Sequence, residues 1–573
     1  MLRLDATYIP GDGDDDAGTT RLRLVNGGRE TLQRFRLAFT SVVQLTPSSD
    51  AATLAARTSG YHELSPPDEL VLGPGEVWDT GPLRCGHRPG HANDGPASAF
   101  VILADDSTRA VDTGRTDAAE PVRVGREGPP PLALSTDSDV VRSAWTVAAG
   151  CERRLFPAGV LAQSGGDPVT ASVDTGQPAD SFAIEGSHVA AGSEQALVTA
   201  FLTLARARRD AVDPTGAHSP VHGWRGLHLD LARQFIPALD VGWLIDRAAW
   251  SRLNRVHLHL TDDEGWRFPV SGYPALTEVG AWRGHGLAIP PLLGSGPEPY
   301  GGAYTAADIR AWVQRAGALG IEIIPEVDLP GHCFAALAAV PELRDPADTS
   351  GAASVQHFVD NVLVPGLPST GPFLEAVFGE LADLFPGPWL HLGGDEVPPG
   401  AWAGSPAAEA FARERGVAGT DAIAAAFMGD VIRLVRSATG RHVGVWQEAA
   451  ESGALQPEDG YVVGWRSSAD CHRLAAAYDV VAAPAEVYYL DMAVDDAWDS
   501  RGTNWAGSTS LSDIQAYDPT AGWTDAERAR LLGIQACLWT EHVHDRATLT
   551  ELLLARLDAI ASSAWTARSG NAS

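Results

Sequence analysis

From Gly223 onward the chain repeats one unit: a short apolar run, then a stretch of helical length. The runs fall at residues 227–231, 256–260, 321–327, 389–392, 443–446, 461–463, 480–483 and 533–538, eight in all. Each is too short for a buried helix and is bounded by glycine or polar residues, so each reads as a buried strand. The spacer at 305–319 shows what lies between. Thr305 and Asp308 form a capping-box pattern, Ile309, Trp312, Val313 and Ala316 make one apolar stripe, and Gly320 ends it. Eight strand–helix units over roughly 350 residues predict a (β/α)8 TIM barrel, a fold of about 250 residues before loop extensions. The rival, a doubly wound open sheet, is disfavoured because no GxGxxG turn follows the first strand.

The barrel leaves a third of the chain to explain, and 573 residues are too many for one core. Residues 1–118 carry period-two apolarity (Leu22 and Leu24; Phe35, Leu37 and Phe39) broken by turns such as Gly73-Pro74-Gly75. This predicts a β-sandwich-like accessory module. Residues 119–218 open with Gly128-Pro129-Pro130-Pro131, then show a strand at 182–184 and a helix at 194–207. They predict a small α+β domain, with the barrel occupying 219–573.

Composition limits what such a chain can act on. A net charge of -31 excludes nucleic acid and anionic membrane as partners, since both would be repelled. The sequence contains no lysine, so Schiff-base chemistry is excluded as well. The five cysteines are scattered without a CxxC spacing, which suggests neither a zinc site nor a disulfide framework. Behind Met1-Leu2-Arg3 there is no apolar run of leader type, so a cytoplasmic setting is the expectation, with secretion open if a leader has been removed.

Barrel enzymes work at the C-terminal ends of their strands, so those ends are read together. The fourth gives His391-Leu392-Gly393-Gly394-Asp395-Glu396, two adjacent carboxylates after a glycine pair. Neighbouring carboxylates cannot ionise equally easily, which offers an acid and an anion in one place. The other ends supply Thr261-Asp262-Asp263, Asp328 through His332, Trp446-Gln447-Glu448, Trp465, Tyr489-Leu490-Asp491 and Trp539-Thr540-Glu541, with Trp224-Arg225 flanking the first strand. Carboxylates alternating with tryptophans suit a sugar, whose apolar ring faces stack on indoles while its hydroxyls bond to charged groups. Asp262, His332 and Asp395 are conceivable metal ligands. Against that, there is no HExxH pairing, and His257 and His259 share one face inside the second strand, short of the rim. Neither metal nor cofactor is expected.

These motifs, in this order, resemble the β-N-acetylhexosaminidases of glycoside hydrolase family 20. The resemblance rests on Trp224 to Asp230, His259 to Arg267, Ile324 to His332 and His391 to Glu396, with Trp446-Gln447-Glu448, Tyr489-Leu490-Asp491 and Leu538 to Glu541 downstream. It implies exo-acting removal of terminal N-acetylglucosamine or N-acetylgalactosamine from an oligosaccharide or glycoconjugate. It also implies a substrate-assisted retaining mechanism, in which the substrate's own acetamido oxygen is the nucleophile. Carried over residue by residue, Glu396 is the general acid, Asp395 orients the acetamido group and Tyr489 donates to its carbonyl. Trp446, Trp465 and Trp539 wall the site, while Arg225, Asp491 and Glu541 hold ring hydroxyls. Asp262 and His332 support the acid. Two alternatives stay open: a related glycosidase that releases disaccharides or transfers sugars, and a carbohydrate-binding protein without catalysis.

Overall fold

The structure, a computed structural model, describes residues 2–9, 17–87, 89, 92–113, 131–136, 138–162 and 165–565. Eight parallel strands close into a barrel. They are β1 (Trp224–Asp230), β2 (Arg255–His259), β3 (Glu322–Glu326), β4 (Trp389–His391), β5 (His442–Trp446), β6 (Gly460–Gly464), β7 (Val480–Ala482) and β8 (Leu531–Leu538). Every predicted run coincides with one of them, and β8 pairs with β1 to close the ring. Thr305 caps the helix Ala306–Ala318 with both halves of the capping box formed, and Gly320 stops it at φ 73°.

The middle region is a six-stranded sheet packed by two helices, Asp139–Leu155 and Glu194–Asp210. The first helix is not legible as periodicity in the sequence analysis above; the second runs three residues beyond its predicted end. Both helices lie against the barrel helix Ala238–Trp250. There Asp246, wholly buried, is held by Arg154 through two bonds of 2.8 Å and by Arg315. One hydrophobic core runs without a break from Leu132 to Trp565. Of the Gly128-to-Pro131 loop, residues 128–130 lie outside the described residues.

The N-terminal module is β-rich, with nine strands hydrogen-bonded into one sheet. Alternation along Arg36–Ser41 and Pro96–Ile102 buries both faces. Leu37, Phe39, Ala99 and Val101 face the module's own core. Ala38, Phe100 and Ile102 face the other way, against Ile289, Leu292 and Phe358 of the barrel's loops. The five cysteines are all buried, and none forms a disulfide. Among the described residues, no helix is long and apolar enough to cross a membrane.

Candidate active site

The turn after β4 is built around its glycines. Gly393 has φ 66°, and a Cβ there would lie 1.6 Å from Asp328 Oδ1; at Gly394, with φ 102°, it would crowd Ala449. No other residue fits this pair, and Gly394 N instead donates to Asp328 Oδ1 at 3.1 Å. The turn delivers Asp395 and Glu396 to the rim. Glu396 and His332, which face each other across it, both hold left-handed backbone, φ 47° and 54°. Strain of this kind at non-glycine residues concentrates where geometry serves function.

A line of alternating charges runs from Glu396 into the barrel. His332 Nε2 lies 3.5 Å from Glu396 and 3.9 Å from Asp395. His332 Nδ1 donates to Asp262 Oδ1 at 3.1 Å, and Asp262 Oδ2 accepts from His259 Nε2 at 2.7 Å. His259 Nδ1 in turn donates to Glu326 Oε2 at 2.8 Å. Both nitrogens of His259 thus face carboxylates. Burial alone would lower its pKa, but Glu326 and Asp262 raise it to about 10. His332 is likewise held charged against its burial by Asp262 and Asp328. Asp262 stays well below the usual carboxylate range despite burial, because Arg233, His332 and His259 surround it.

Beneath lies Glu326, ringed by four imidazoles. Its Oε1 accepts from Trp446 Nε1 (2.7 Å) and His391 Nδ1 (2.9 Å); Oε2 receives His259 and has His257 at 3.1 Å. His228 stands 3.7 Å away. Burial would neutralise this carboxyl, yet the histidines hold it ionised. Groups of three among these residues are close enough to hold a metal ion, as are Asp328, His332 and Asp395 at the pocket. Around Glu326, however, an indole N–H shares the oxygen that His391 addresses, and an indole N–H is a donor with no ligand capacity. The set is arranged as donors around an anion.

Asp395 is perturbed less by its neighbour in sequence than by what surrounds it in space. Its pKa is raised well above the ordinary value by burial first and by Asp328 second, with Glu396 a smaller influence. Asp395 Oδ1 is buried without a hydrogen-bond partner, as is His332 Nε2. Both line a cavity of about 400 Å³, within the size range of small-molecule sites. Its aromatic wall consists of Trp465 and Tyr489 with near-parallel rings (12°, 6.3 Å), Trp539, and Trp505 edge-on to the first two. Trp465 Nε1 donates to Glu448 Oε2 at 3.0 Å, which fixes its plane. Burial keeps the Tyr489 phenol protonated and able to donate.

Opposite stand Arg233, Glu264, Asp491 and Glu541. Arg233 Nη2 pairs with Asp262 at 2.8 Å, and its guanidinium lies 4.7 Å over Trp539. Its Nε lies 3.4 Å from Glu264 Oε2 and its Nη1 3.9 Å from Asp230 Oδ2, ion pairs without hydrogen-bond geometry. Desolvation raises the pKa of Asp491, reinforced by Glu541, and raises Glu541 too. A guanidinium fork whose N–H groups are not all hydrogen-bonded, set beside carboxylates, is what adjacent sugar hydroxyls need.

Two expectations fail here. Arg225 is not in the pocket. It is the second residue of β1, at the opposite end of the barrel, where it donates to His222 O (2.9 Å) and Asp180 and lies over Trp565. Arg233, three residues past the end of β1, stands where Arg225 was placed. Trp446 is not a wall either: as the last residue of β5 it points into the barrel and bonds Glu326, beneath Trp539 at 5.8 Å. The other nominated residues, Asp395, Glu396, Tyr489, Trp465, Trp539, Asp491, Glu541 and His332, all line the cavity, with Asp262 directly behind. Arg233, Glu264 and Trp505 also line the cavity and are not among the residues expected there. The first two follow the ends of β1 and β2, a position that would have flagged them; Trp505 sits in an irregular loop with no such signal.

Comparison with known proteins agrees with this arrangement. The chain is 38% identical over 351 residues to a β-hexosaminidase of Vibrio furnissii, covering 60% of this chain and 57% of that one. It is 31% identical over 393 residues to a β-hexosaminidase of Akkermansia muciniphila, covering 66% and 77%. The chain thus spans somewhat over half the length of the first relative and about three quarters of the second. Among solved structures, a family 20 exo-β-N-acetylglucosaminidase of Vibrio harveyi in complex with N-acetylglucosamine superposes with a TM-score of 0.87 at 28% identity, over 99% of this chain and 95% of that one. A family model described as the glycosyl hydrolase family 20 catalytic domain matches residues 222–568. That match takes in all eight strands and every residue of the charged line, and the chain belongs to glycosyl hydrolase family 20.

Proposed function

We propose that the protein is an exo-acting β-N-acetylhexosaminidase that removes terminal N-acetylglucosamine or N-acetylgalactosamine by substrate-assisted, retaining catalysis. The observation that carries this reading is the division of labour between adjacent carboxyls. Glu396 is coupled to a buried, charged histidine, while Asp395 offers an unpartnered oxygen to the same cavity.

In the first step the substrate's acetamido oxygen attacks the anomeric carbon. The glycosidic C–O bond breaks, its electrons go to the leaving oxygen, and Glu396 supplies that oxygen's proton. The product is an oxazolinium ion and a free alcohol. The acetamido N–H and the positive charge growing beside it draw Asp395 into its ionised form against its burial, so that it accepts that N–H and balances the charge, and Tyr489 donates to the acetamido oxygen and aims it. In the second step Glu396 takes a proton from water, which adds to the anomeric carbon and reopens the ring with net retention. His332, held charged by Asp262, stabilises Glu396 each time it becomes an anion. Arg233, Glu264, Asp491 and Glu541 grip the ring hydroxyls, and Trp465 and Trp539 stack on its apolar face.

An aryl N-acetyl-β-glucosaminide tests this directly. The protein should hydrolyse it with retention and be strongly inhibited by a thiazoline analogue of the intermediate. It should leave the matching aryl β-glucoside, which lacks the acetamide, intact. Near-native turnover by Glu396→Gln, or equal activity on the plain glucoside, would refute the mechanism. Binding of the sugar without turnover would favour a non-catalytic carbohydrate-binding role.

A further inference from the structure

The N-terminal module sits on the working end of the barrel. Beyond its apolar contact with Ile289, Leu292 and Phe358, it is tied to loops after four of the eight strands. After β2, Ser98 Oγ donates to Ser295 O (2.7 Å) and Gly294 N to Thr40 Oγ1 (3.0 Å). After β3, Ser59 Oγ donates to Gln356 O at 2.7 Å. After β7, Asn93 Nδ2 donates to Gly502 O at 2.8 Å, and after β8 Asp94 faces His542 at 3.6 Å. A face bolted down at both apolar and polar points holds its position over the rim.

Three parts of the module reach the catalytic cavity, the turns Ser41-Val42 and Ser59-Gly60 and the side of His87; the two turns are the uncharged part of this wall. They are rigid. Ser59 holds φ 52°, and a Cβ on Gly60 would come within 2.4 Å of Ser41 O. The barrel segment that Ser59 grips belongs to the loop that carries His332, since Cys333 N donates to Asn361 O (2.9 Å) and Leu363 N to Pro330 O (2.7 Å). The turn Ser59-Gly60 therefore stands beside the loop that carries His332, the partner of the general acid, while Asn93 and Asp94 carry the module across the rim to the loops after β7 and β8. In this wall Gln356 Oε1 is buried with no hydrogen-bond partner.

We propose that Ser41-Val42 and Ser59-Gly60 of the module, with Gln356 of the barrel, form the subsite for the leaving-group sugar, the pyranose next to the scissile bond. The inference rests on the glycosidase reading above. Hydroxyls, an amide and a small apolar side chain suit an uncharged pyranose; no fixed charge lies among these five residues. The leaving oxygen departs toward Glu396, so whatever is attached to it must pass between this wall and the acid. The module is then part of the enzyme's specificity and not a remote sugar-binding appendage.

The test uses the full chain and two substrates, N,N′-diacetylchitobiose and methyl N-acetyl-β-glucosaminide, whose leaving group is a single methoxyl. The readout is the ratio of their kcat/KM values. Val42→Trp fills the wall and should lower the ratio about tenfold or more; Gln356→Ala removes one polar contact and should lower it several-fold. A ratio within twofold of the unsubstituted protein in both variants overturns the proposal. If Val42→Trp is destabilised by thermal melting, Gln356→Ala decides alone. Failure of the unsubstituted protein on both substrates sinks the glycosidase reading itself, whereas activity with an unmoved ratio sinks only the subsite.

Discussion

Replacing Asp262 by asparagine probes the charged line at its centre. Asp262 receives four donors on two oxygens: His259 and Arg233 on Oδ2 (2.7 and 2.8 Å), and His332 and the Asp263 N–H on Oδ1 (3.1 and 2.6 Å). An amide must turn its NH2 toward one pair. Each pair holds one donor that cannot yield, Arg233 on Oδ2 and the Asp263 N–H on Oδ1; of the two histidines, His259 is clamped by Glu326, so the NH2 goes to the Oδ1 side, where His332 is the partner able to adjust. There His332 can respond by giving up its charge and accepting on Nδ1. Glu396 then loses a cation 3.5 Å away. Such a pair interacts by about 4 kcal/mol at an effective dielectric near 20. With the carboxylate half-formed in the transition state, about 2 kcal/mol is lost, roughly thirtyfold in kcat. The general acid's whole contribution, about 10²–10⁴, sets the ceiling. The assay is a series of aryl N-acetyl-β-glucosaminides of graded leaving-group acidity. The loss should be large for poor leaving groups and nearly absent for dinitrophenol, which departs without a proton, with KM little changed. The basic limb of the pH profile should move to higher pH, because the ionised acid has lost its counter-charge. An equal loss across the series, or an effect confined to KM, would show that Asp262 does not act through the proton.

Asp395→Asn should lower kcat by at least about a hundredfold with a smaller change in KM, since its charge is needed only as the oxazolinium forms; a change in KM alone would refute the orienting role. Arg233→Ala should cost at least about two orders of magnitude in kcat/KM, whereas Arg225→Ala should leave kcat/KM within about twofold and lower only the melting temperature. The reverse result would restore Arg225 to the site. His259 carries a pH signature: its pKa rises from 6.5 to about 10 on folding, so the stabilisation is complete below about pH 6.5 and is lost as pH climbs toward 10. Melting curves should therefore fall more steeply from pH 7 to 10 in the unsubstituted protein than in His259→Gln, and parallel curves would contradict the assignment.

The barrel was legible because its strands are buried on both faces and read as unbroken apolar runs. The catalytic rim was legible because strand ends are where barrels keep their chemistry. The two misplacements have different causes: nearness to a strand does not give a residue's position along it, and position does not give the direction of its side chain. Arg225 begins β1 and therefore belongs to the barrel's far end; Arg233 follows β1 and reaches the site. Trp446 closes β5 with its side chain turned inward, and only the three-dimensional position of Glu326 shows what it serves. His257 and His259 were rightly placed on one face, but that they ring a single carboxylate with His391 and His228 requires three other strands. Asp328 as the main electrostatic neighbour of Asp395 is likewise a contact across 67 residues of chain. The middle region's helix Asp139–Leu155 was missed because its arginines and alanines blur the stripe that its buried Val141, Ala144, Trp145 and Ala148 form.

The continuity of the core has a consequence for where this chain can be cut. The family's catalytic domain begins near residue 222, and a sequence boundary invites expression from that point. Yet the helices Asp139–Leu155 and Glu194–Asp210 share their apolar interior with the barrel, and Asp246 would keep Arg315 but lose Arg154. Truncation at 222 would also bare Ile289, Leu292 and Phe358, an oily patch beside the pocket. Domain-shuffled or minimised versions should therefore aggregate unless these surfaces are redesigned. The smallest stable unit here is all three parts of the chain together.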